Sequence, residues 1–200
     1  VATRVGDMSN GVGYFAGTGS ASFGYSGGGS PKNSRINRID YSNDTAVTTP
    51  VGYLSSTRAY LTGAVSGQEN GLNVAGTPIT PATRTESGTP SPVGTNYGYY
   101  GAGSGDGSNP RSWVDRIDFD NDTLTASHRG PLTDVKNYTA GTSSLSGGYI
   151  AGDGIPFGEG KSTVDRIDYS NDLAVATAKG KLGWSTMYAV GTGNKDFGYV

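Results

Sequence analysis

The chain has 200 residues, of which 34 are Gly, 13 are Tyr and none is Cys, with 16% charged. A formal net charge of -2 gives no basis for a nucleic-acid or anionic-membrane partner, and the lack of Cys excludes a disulfide scaffold. No apolar run approaches membrane-spanning length.

Abundant Gly, Ser, Thr and Asn beside Tyr and Val disfavours helices and suits short strands joined by turns. Gly and Pro together are 43 of 200, a share at which disorder is considered, but regular apolar phrases argue for a fold. The Thr-, Ser- and Tyr-rich composition fits an extracellular or virion protein. Val at position 1 reads as a processed product or a fragment.

In chain order, the first unit opens near Val5-Gly6 and carries Gly13-Tyr14-Phe15-Ala16-Gly17. A long loop over Thr18–Asn33, containing Gly27-Gly28-Gly29, leads to Ser34-Arg35-Ile36-Asn37-Arg38-Ile39-Asp40-Tyr41-Ser42-Asn43-Asp44. The second unit reads as degenerate. Its first two strands fall at Ala59–Gly63 and Gly71–Gly76, and Thr77–Pro92 replaces the Arg-Ile-Asp phrase. The third unit restores both phrases, as Gly98-Tyr99-Tyr100-Gly101-Ala102 and Ser112-Trp113-Val114-Asp115-Arg116-Ile117-Asp118-Phe119-Asp120-Asn121-Asp122. The fourth repeats them as Gly148-Tyr149-Ile150-Ala151-Gly152 and Ser162-Thr163-Val164-Asp165-Arg166-Ile167-Asp168-Tyr169-Ser170-Asn171-Asp172. Arg116 to Gly148 and Arg166 to Gly198 are both 32 positions, so the unit is about fifty residues.

Four strand-like runs fit each unit: in the last full one Tyr138–Thr142, Gly148–Gly152, Thr163–Tyr169 and Ala174–Ala178. Ser170-Asn171-Asp172 reads as a short hairpin turn, because Asn and Asp bond their own backbone. Four antiparallel strands per fifty residues is the pattern of a propeller blade. The expected blades are 1–56, 57–95 (degenerate), 96–136 and 137–187, with 188–200 continuing the pattern in one repeat domain over 1–200. The ends fall in mid-pattern, which suggests a window of a longer array or one partner in a ring-completing assembly.

The unit resembles a kelch repeat, in the order Gly148-Tyr149-Ile150-Ala151-Gly152, loop, Arg166-Ile167-Asp168-Tyr169. It departs from that family in its interrupted glycine pair, in Asp preceding the aromatic, and in Ala and Thr where the outer strand has Trp. The wording Arg-Ile-Asp-Tyr-Ser-Asn-Asp, with Gly130-Pro131-Leu132, is similar to kelch-like virion and tail-appendage proteins of marine bacteriophages. The resemblance implies an all-β, kelch-like β-propeller or propeller segment, and a non-enzymatic structural or binding module. Its implied partners are other virion or surface proteins, in a homo-oligomer or larger assembly, or a host glycan. A bacterial cell-surface adhesion protein of the same fold is the alternative, and a carbohydrate-active enzyme a third reading.

Strand alternation places Arg38 with Asp40, Arg116 with Asp118 and Arg166 with Asp168 on one face, and Ile167 and Tyr169 on the other, core-facing one. A ligand site normally breaks repeat symmetry, so these polar pairs are expected to bond carbonyls or an Asp of their own or the adjacent blade. Asp118, Asp120 and Asp122 alternate like a calcium loop, but Arg129 stands at position twelve and no Gly at position six, which favours a capped turn. His128 stands alone and without Cys, so neither a zinc site of usual composition nor a serine triad is expected. Asp106, Asp153 and Glu159 fall in Gly-rich loops that would hold an acid pair poorly. No catalytic, metal or cofactor residue is assigned. Trp113, Trp184, Tyr97 and Tyr100 are the candidate partner surface, with Tyr99 and Tyr149 assigned to the core.

Overall fold

The computed structural model describes residues 5–20, 22–61, 63–67, 96–105, 109–144, 146–153, 160–193 and 197–200. Among these the chain is all β, with no helix. The first sheet holds β1 (Ala16–Gly19), β2 (Phe23–Gly27), β3 (Asn33–Asp40) and β4 (Thr49–Arg58), in that order and antiparallel. The second holds β5 (Gly63–Ser66), β6 (Tyr97–Gly101), β7 (Val114–Asp118) and β8 (Ser127–His128). The third holds β9 (Ala140–Ser144), β10 (Gly147–Asp153), β11 (Lys161–Asp168) and β12 (Thr177–Thr186). A two-stranded sheet, β13 (Thr192–Gly193) with β14 (Gly198–Tyr199), follows.

Register is the same in all three large sheets. Gly24 lies opposite Ile39, Gly98 opposite Ile117, and Gly148 opposite Ile167. The reason is steric. The aromatic two residues past each Ile folds back over its own sheet's glycine. A Cβ on Gly24 would stand 2.9 Å from the Tyr41 hydroxyl, one on Gly98 2.8 Å from the Phe119 ring, and one on Gly148 2.9 Å from the Tyr169 hydroxyl. Ile36, Ile117 and Ile150 are fully buried, and Ile167 and Tyr169 are 3% exposed.

Three expectations change. The boundary at 95/96 cuts a sheet, because β5 and β6 pair directly, Gly63 with Gly101 and Ser66 with Gly98. Arg38 and Arg116 are 78 apart. Residues 68–95 number 28, and 78 less 28 leaves the fifty-residue period. One sheet thus carries an insertion between its first two strands. The run expected at Gly71–Gly76, with Thr77–Pro92, lies outside the described residues.

Second, Gly13–Gly17 is not the mate of Gly98–Ala102. Tyr14 has a φ of 53°, as Tyr60 (56°), Tyr138 (52°) and Tyr188 (56°) do, and these four entry tyrosines precede the first strand of each sheet. The mate of Gly98-Tyr99 is Gly24-Tyr25, so the expected loop Thr18–Asn33 contains the β1–β2 turn and all of β2. Third, the outer strand of the third sheet is Thr177–Thr186 rather than Ala174–Ala178. The expected three-residue turn is two successive turns, with Asn171 N–H on the Asp168 carbonyl (3.1 Å) and Ala174 N–H on the Asn171 carbonyl (3.2 Å). Leu173 and Val175, which gave that stretch its strand-like alternation, are 69% and 59% exposed.

The entry tyrosines form a column. Ring centroids are 5.3 Å apart for Tyr14 and Tyr60, 5.0 Å for Tyr60 and Tyr138, and 4.4 Å for Tyr138 and Tyr188. A positive φ strains a non-glycine residue. The tilted ring contacts offset that strain, as do the bonds from Tyr138 N–H to the Tyr60 carbonyl (3.2 Å) and Tyr188 N–H to the Tyr138 carbonyl (3.1 Å). Residues of β1, β5, β9 and β13 together line one cavity of about 630 Å³, edged by Thr18, Ser66, Thr142 and Thr192.

Candidate functional site

The repeated polar residues meet at the joints between sheets. Arg38 Nη1 of the first sheet lies 2.8 Å from Asp122 Oδ2, in the turn of the second. Tyr25 donates its hydroxyl to the same oxygen at 3.0 Å. The next joint repeats this, with Arg116 Nη1 at 2.8 Å and the Tyr99 hydroxyl at 3.0 Å from Asp172 Oδ2. Each tyrosine also stacks on the next sheet's aromatic, Tyr25 on Phe119 and Tyr99 on Tyr169, both at 5.0 Å. One carboxylate therefore receives a charged and a neutral donor, a charge-assisted clamp. Burial, then the neighbouring aspartate, pushes the Tyr25 and Tyr99 phenols well above their ordinary value.

The double turn makes the clamp possible by presenting its Asp to the preceding sheet. It needs a close neighbour. A Cβ on Gly52 would stand 2.5 Å from the Asp122 and Leu124 carbonyls, and one on Gly130 would collide with the Ala174 carbonyl. Residues 5–13 lie against the first sheet in the same manner. Gly6 N–H donates to the Asp44 carbonyl at 2.7 Å, as Gly130 N–H does to that of Asp172 at 2.9 Å.

Asp40, Asp118 and Asp168 face away from the joints and hold their own turns. Asp40 accepts the Ser42 amide (2.9 Å) and hydroxyl (2.6 Å), Asp118 the Asp120 amide (3.0 Å), and Asp168 the Ser170 amide (3.0 Å) and hydroxyl (2.8 Å). These serine bonds hold the Asp40 and Asp168 carboxyls below the usual range. Within Asp118–Asp122, Asp118 caps its turn and Asp122 serves Arg38 and Tyr25. Among the described residues no group of three or more His, Asp or Glu is placed to hold a metal ion.

Arg166 differs from its two counterparts. Its Nη2 donates to the Ser146 carbonyl at 2.9 Å, and Nη1 lies 3.5 Å from Asp168. Arg38 and Arg116 lie over the rings of Phe23 (4.7 Å) and Tyr97 (3.8 Å), but Gly147 occupies that register in the third sheet.

Of the candidate partner residues, Tyr100 is corrected. It is fully buried, its ring seated against Gly27, where a Cβ would stand 2.9 Å away. Tyr97 is half-buried beneath Arg116. Trp113 is half-buried, edge-on to His128 at 5.9 Å, with the Arg111 guanidinium 4.8 Å above it. Trp184, on β12, is 80% exposed. The four do not form one aromatic patch.

A second set of functional residues escaped sequence reasoning: buried charges inside the joints. Asp115 is fully buried and receives Arg58 Nη2, the Ser55 amide (2.9 Å) and the Ser55 hydroxyl (2.7 Å), with His128 Nδ1 at 3.4 Å. Arg58 is equally buried, and also donates to the Ala102 carbonyl at 3.0 Å. In the next joint Asp165 accepts the Thr133 hydroxyl at 2.5 Å and faces Lys136 Nζ at 3.7 Å. In the first sheet Asn37 takes this register and accepts the Ser9 hydroxyl at 2.7 Å. Each cation stands two residues before an entry tyrosine, Arg58 before Tyr60 and Lys136 before Tyr138, where Val12 precedes Tyr14. The covariation of cation with Asp, and of Val with Asn, was the available signal.

Asp153 is corrected too. It ends β10 rather than lying in a loose loop, is 1% exposed, and accepts the Asn137 amide (3.0 Å) with Lys161 at 3.0 Å. Asp106 and Glu159 lie outside the described residues. No family model matches the chain, and neither does any curated protein.

Proposed function

We propose that this chain is a non-enzymatic structural and binding module, built as a kelch-like β-propeller or a segment of one. Its setting would be a phage virion or tail appendage, where it meets another virion protein or a host-surface glycan. The observation that carries the reading is the clamp repeated at successive joints. Ionisable groups of the repeat are engaged in joining sheet to sheet: Asp122 and Asp172 in the clamps, Asp115 with Arg58, and Asp165 with Lys136. Such joints make a rigid body whose variable parts are its loops, and a rigid scaffold presenting loops is a recognition device. A cavity lined by four innermost strands is what sheets arranged about an axis would enclose. Trp184, a large exposed ring, suits stacking on a sugar face. The virion setting rests on the resemblance of the Arg-Ile-Asp-Tyr-Ser-Asn-Asp wording.

The test is to raise antibodies against the chain and apply them to purified phage particles, with mass spectrometry of the same particles. Gold label at the tail or capsid surface is the expected result. Label confined to bacterial envelopes, with no peptide in the particles, would replace this setting with the bacterial adhesion reading. Loss of glycan-array signal in Trp184→Ala would identify the contact.

A further inference from the structure

The joint between the first and second sheets holds a cation whose counterpart in the third sheet is neutralised. Lys161, at the start of β11, is held by two carboxylates, Asp134 at 2.8 Å and Asp153 at 3.0 Å. Fifty residues before it stands Arg111. Fifty residues before Asp153 stands Gly103, and 78 before Asp134, across the insertion, stands Ser56. Both carboxylates are thus replaced by neutral residues. Among the described residues no carboxylate pairs with the Arg111 guanidinium, and neither its Nε nor Ser56 Oγ has a hydrogen-bond partner. The first sheet has Asn33 at this position, which is neutral and donates to the Pro31 carbonyl at 3.0 Å.

The guanidinium is nonetheless fixed in place. It lies 4.8 Å above the Trp113 ring, which meets His128 edge-on at 5.9 Å. Gly105 packs against it, where a Cβ would stand 2.5 Å from Arg111 Nε. Lys32, just ahead of β3, donates its Nζ to the Gly105 carbonyl at 2.6 Å and brings a second positive charge to the same loop. Trp113 and His128 break the repeat as well, since Thr163 and Ala178 stand fifty residues after them. A guanidinium stacked on a ring keeps its edge N–H donors for a planar, two-oxygen acceptor. Arg111 and Trp113 are only half-buried, so that edge can be reached from solvent.

We propose that Arg111, Trp113 and Lys32 form a binding site for the carboxylate of an acidic saccharide. The sugar carboxylate sits on the edge of the Arg111 guanidinium and supplies the negative charge that Asp134 supplies to Lys161. Trp113 orients the guanidinium by stacking, and Lys32 adds attraction for the anion. The carboxylate follows from the unneutralised charge at this joint. The choice of a saccharide to carry it rests on the glycan-binding reading above.

An array of neutral and carboxylated saccharides, probed with the 200-residue protein and followed by calorimetric titration of the tightest carboxylated member, tests the site. Binding of carboxylated members in preference to neutral ones is expected. It should weaken about tenfold or more when the sugar carboxyl is reduced to a hydroxymethyl group, the loss of one charge-assisted pair. Arg111→Ala should weaken it similarly. Ser56→Asp gives the second sheet the carboxylate that the third has in Asp134, and should weaken it too without lowering the urea midpoint. The reduced sugar leaves the protein untouched, so misfolding cannot mimic that result. Equal binding of the reduced sugar, or binding indifferent to both variants, would overturn this site and leave a glycan contact at Trp184 standing. A poly-aspartate peptide that binds as tightly would overturn the saccharide assignment in favour of an acidic protein partner. Binding of no saccharide at all would overturn the glycan reading together with the site.

Discussion

At the joint between the second and third sheets, Arg116 and Tyr99 close on Asp172, which is 8% exposed. On the far side of the third sheet, Arg166 and Tyr149 hold the same register, and Arg166 turns instead to Ser146 of its own sheet. At the opposite end, Asp44 and Tyr41 repeat Asp172 and Tyr169, and Tyr41 is 53% exposed where Tyr169 is 3%. The same Asp and Tyr positions of the phrase are buried in one place and solvated in another. What decides between them is whether a neighbouring sheet removes water from the pair, since an acceptor shared by two desolvated donors is worth more than a solvated one.

High pH should break both closed joints at once, and is the largest effect expected. Burial raises the Tyr25, Tyr99, Tyr100 and Tyr169 phenols above their ordinary 10.0. A group whose folded value is raised stabilises the fold in full below the unfolded value. That contribution is lost as pH climbs through the folded one, because the unfolded chain releases its protons first. Denaturant midpoints should therefore hold steady up to about pH 9 and fall steeply above about pH 10. A flat profile to pH 11.5 would show that these phenols are not held neutral by the joints.

The joint interior comes next. Asp115→Ala leaves the Arg58 guanidinium buried without its carboxylate, and should cost about 3–5 kcal/mol in urea unfolding. A loss under about 1 kcal/mol would mean that water reaches Arg58.

The clamp itself sharpens the contrast. Asp172→Ala removes the acceptor of Arg116 and Tyr99 and should cost about 2–3 kcal/mol, whereas Asp44→Ala should stay within about 0.5 kcal/mol. Equal losses at the two positions would mean that the turn, and not the joint, is what the aspartate supports.

How far the sequence announces all this depends on the residue. The Arg-Ile-Asp phrase is long, and its spacing of 50 survives intact between Arg116 and Arg166, so the sheets and the inward Ile and aromatic are legible from alternation. Two features mislead. Gly-Tyr occurs both at the entry to a sheet's first strand, as Gly13-Tyr14, and within the second strand, as Gly24-Tyr25. Backbone φ separates these cases, and composition does not. The insertion 68–95 separates β5 from β6 along the chain while leaving their pairing untouched, because register follows the glycines and the side chains over them. Asp115 and Asp165 stayed hidden for another reason. A strand residue facing the core is normally apolar, and the cations that permit a carboxylate there stand 57 residues before the first and 29 before the second.

The smallest effect isolates a single hydroxyl. Tyr99→Phe keeps the stack on Tyr169 at 5.0 Å and deletes one bond to Asp172, so it should cost about 1 kcal/mol. Tyr149→Phe deletes a hydroxyl that bonds no described residue, and should shift the unfolding midpoint by less than about 0.5 kcal/mol in the free chain. If Tyr149→Phe costs as much as Tyr99→Phe, that hydroxyl already has a partner, and the contrast between the two tyrosines fails.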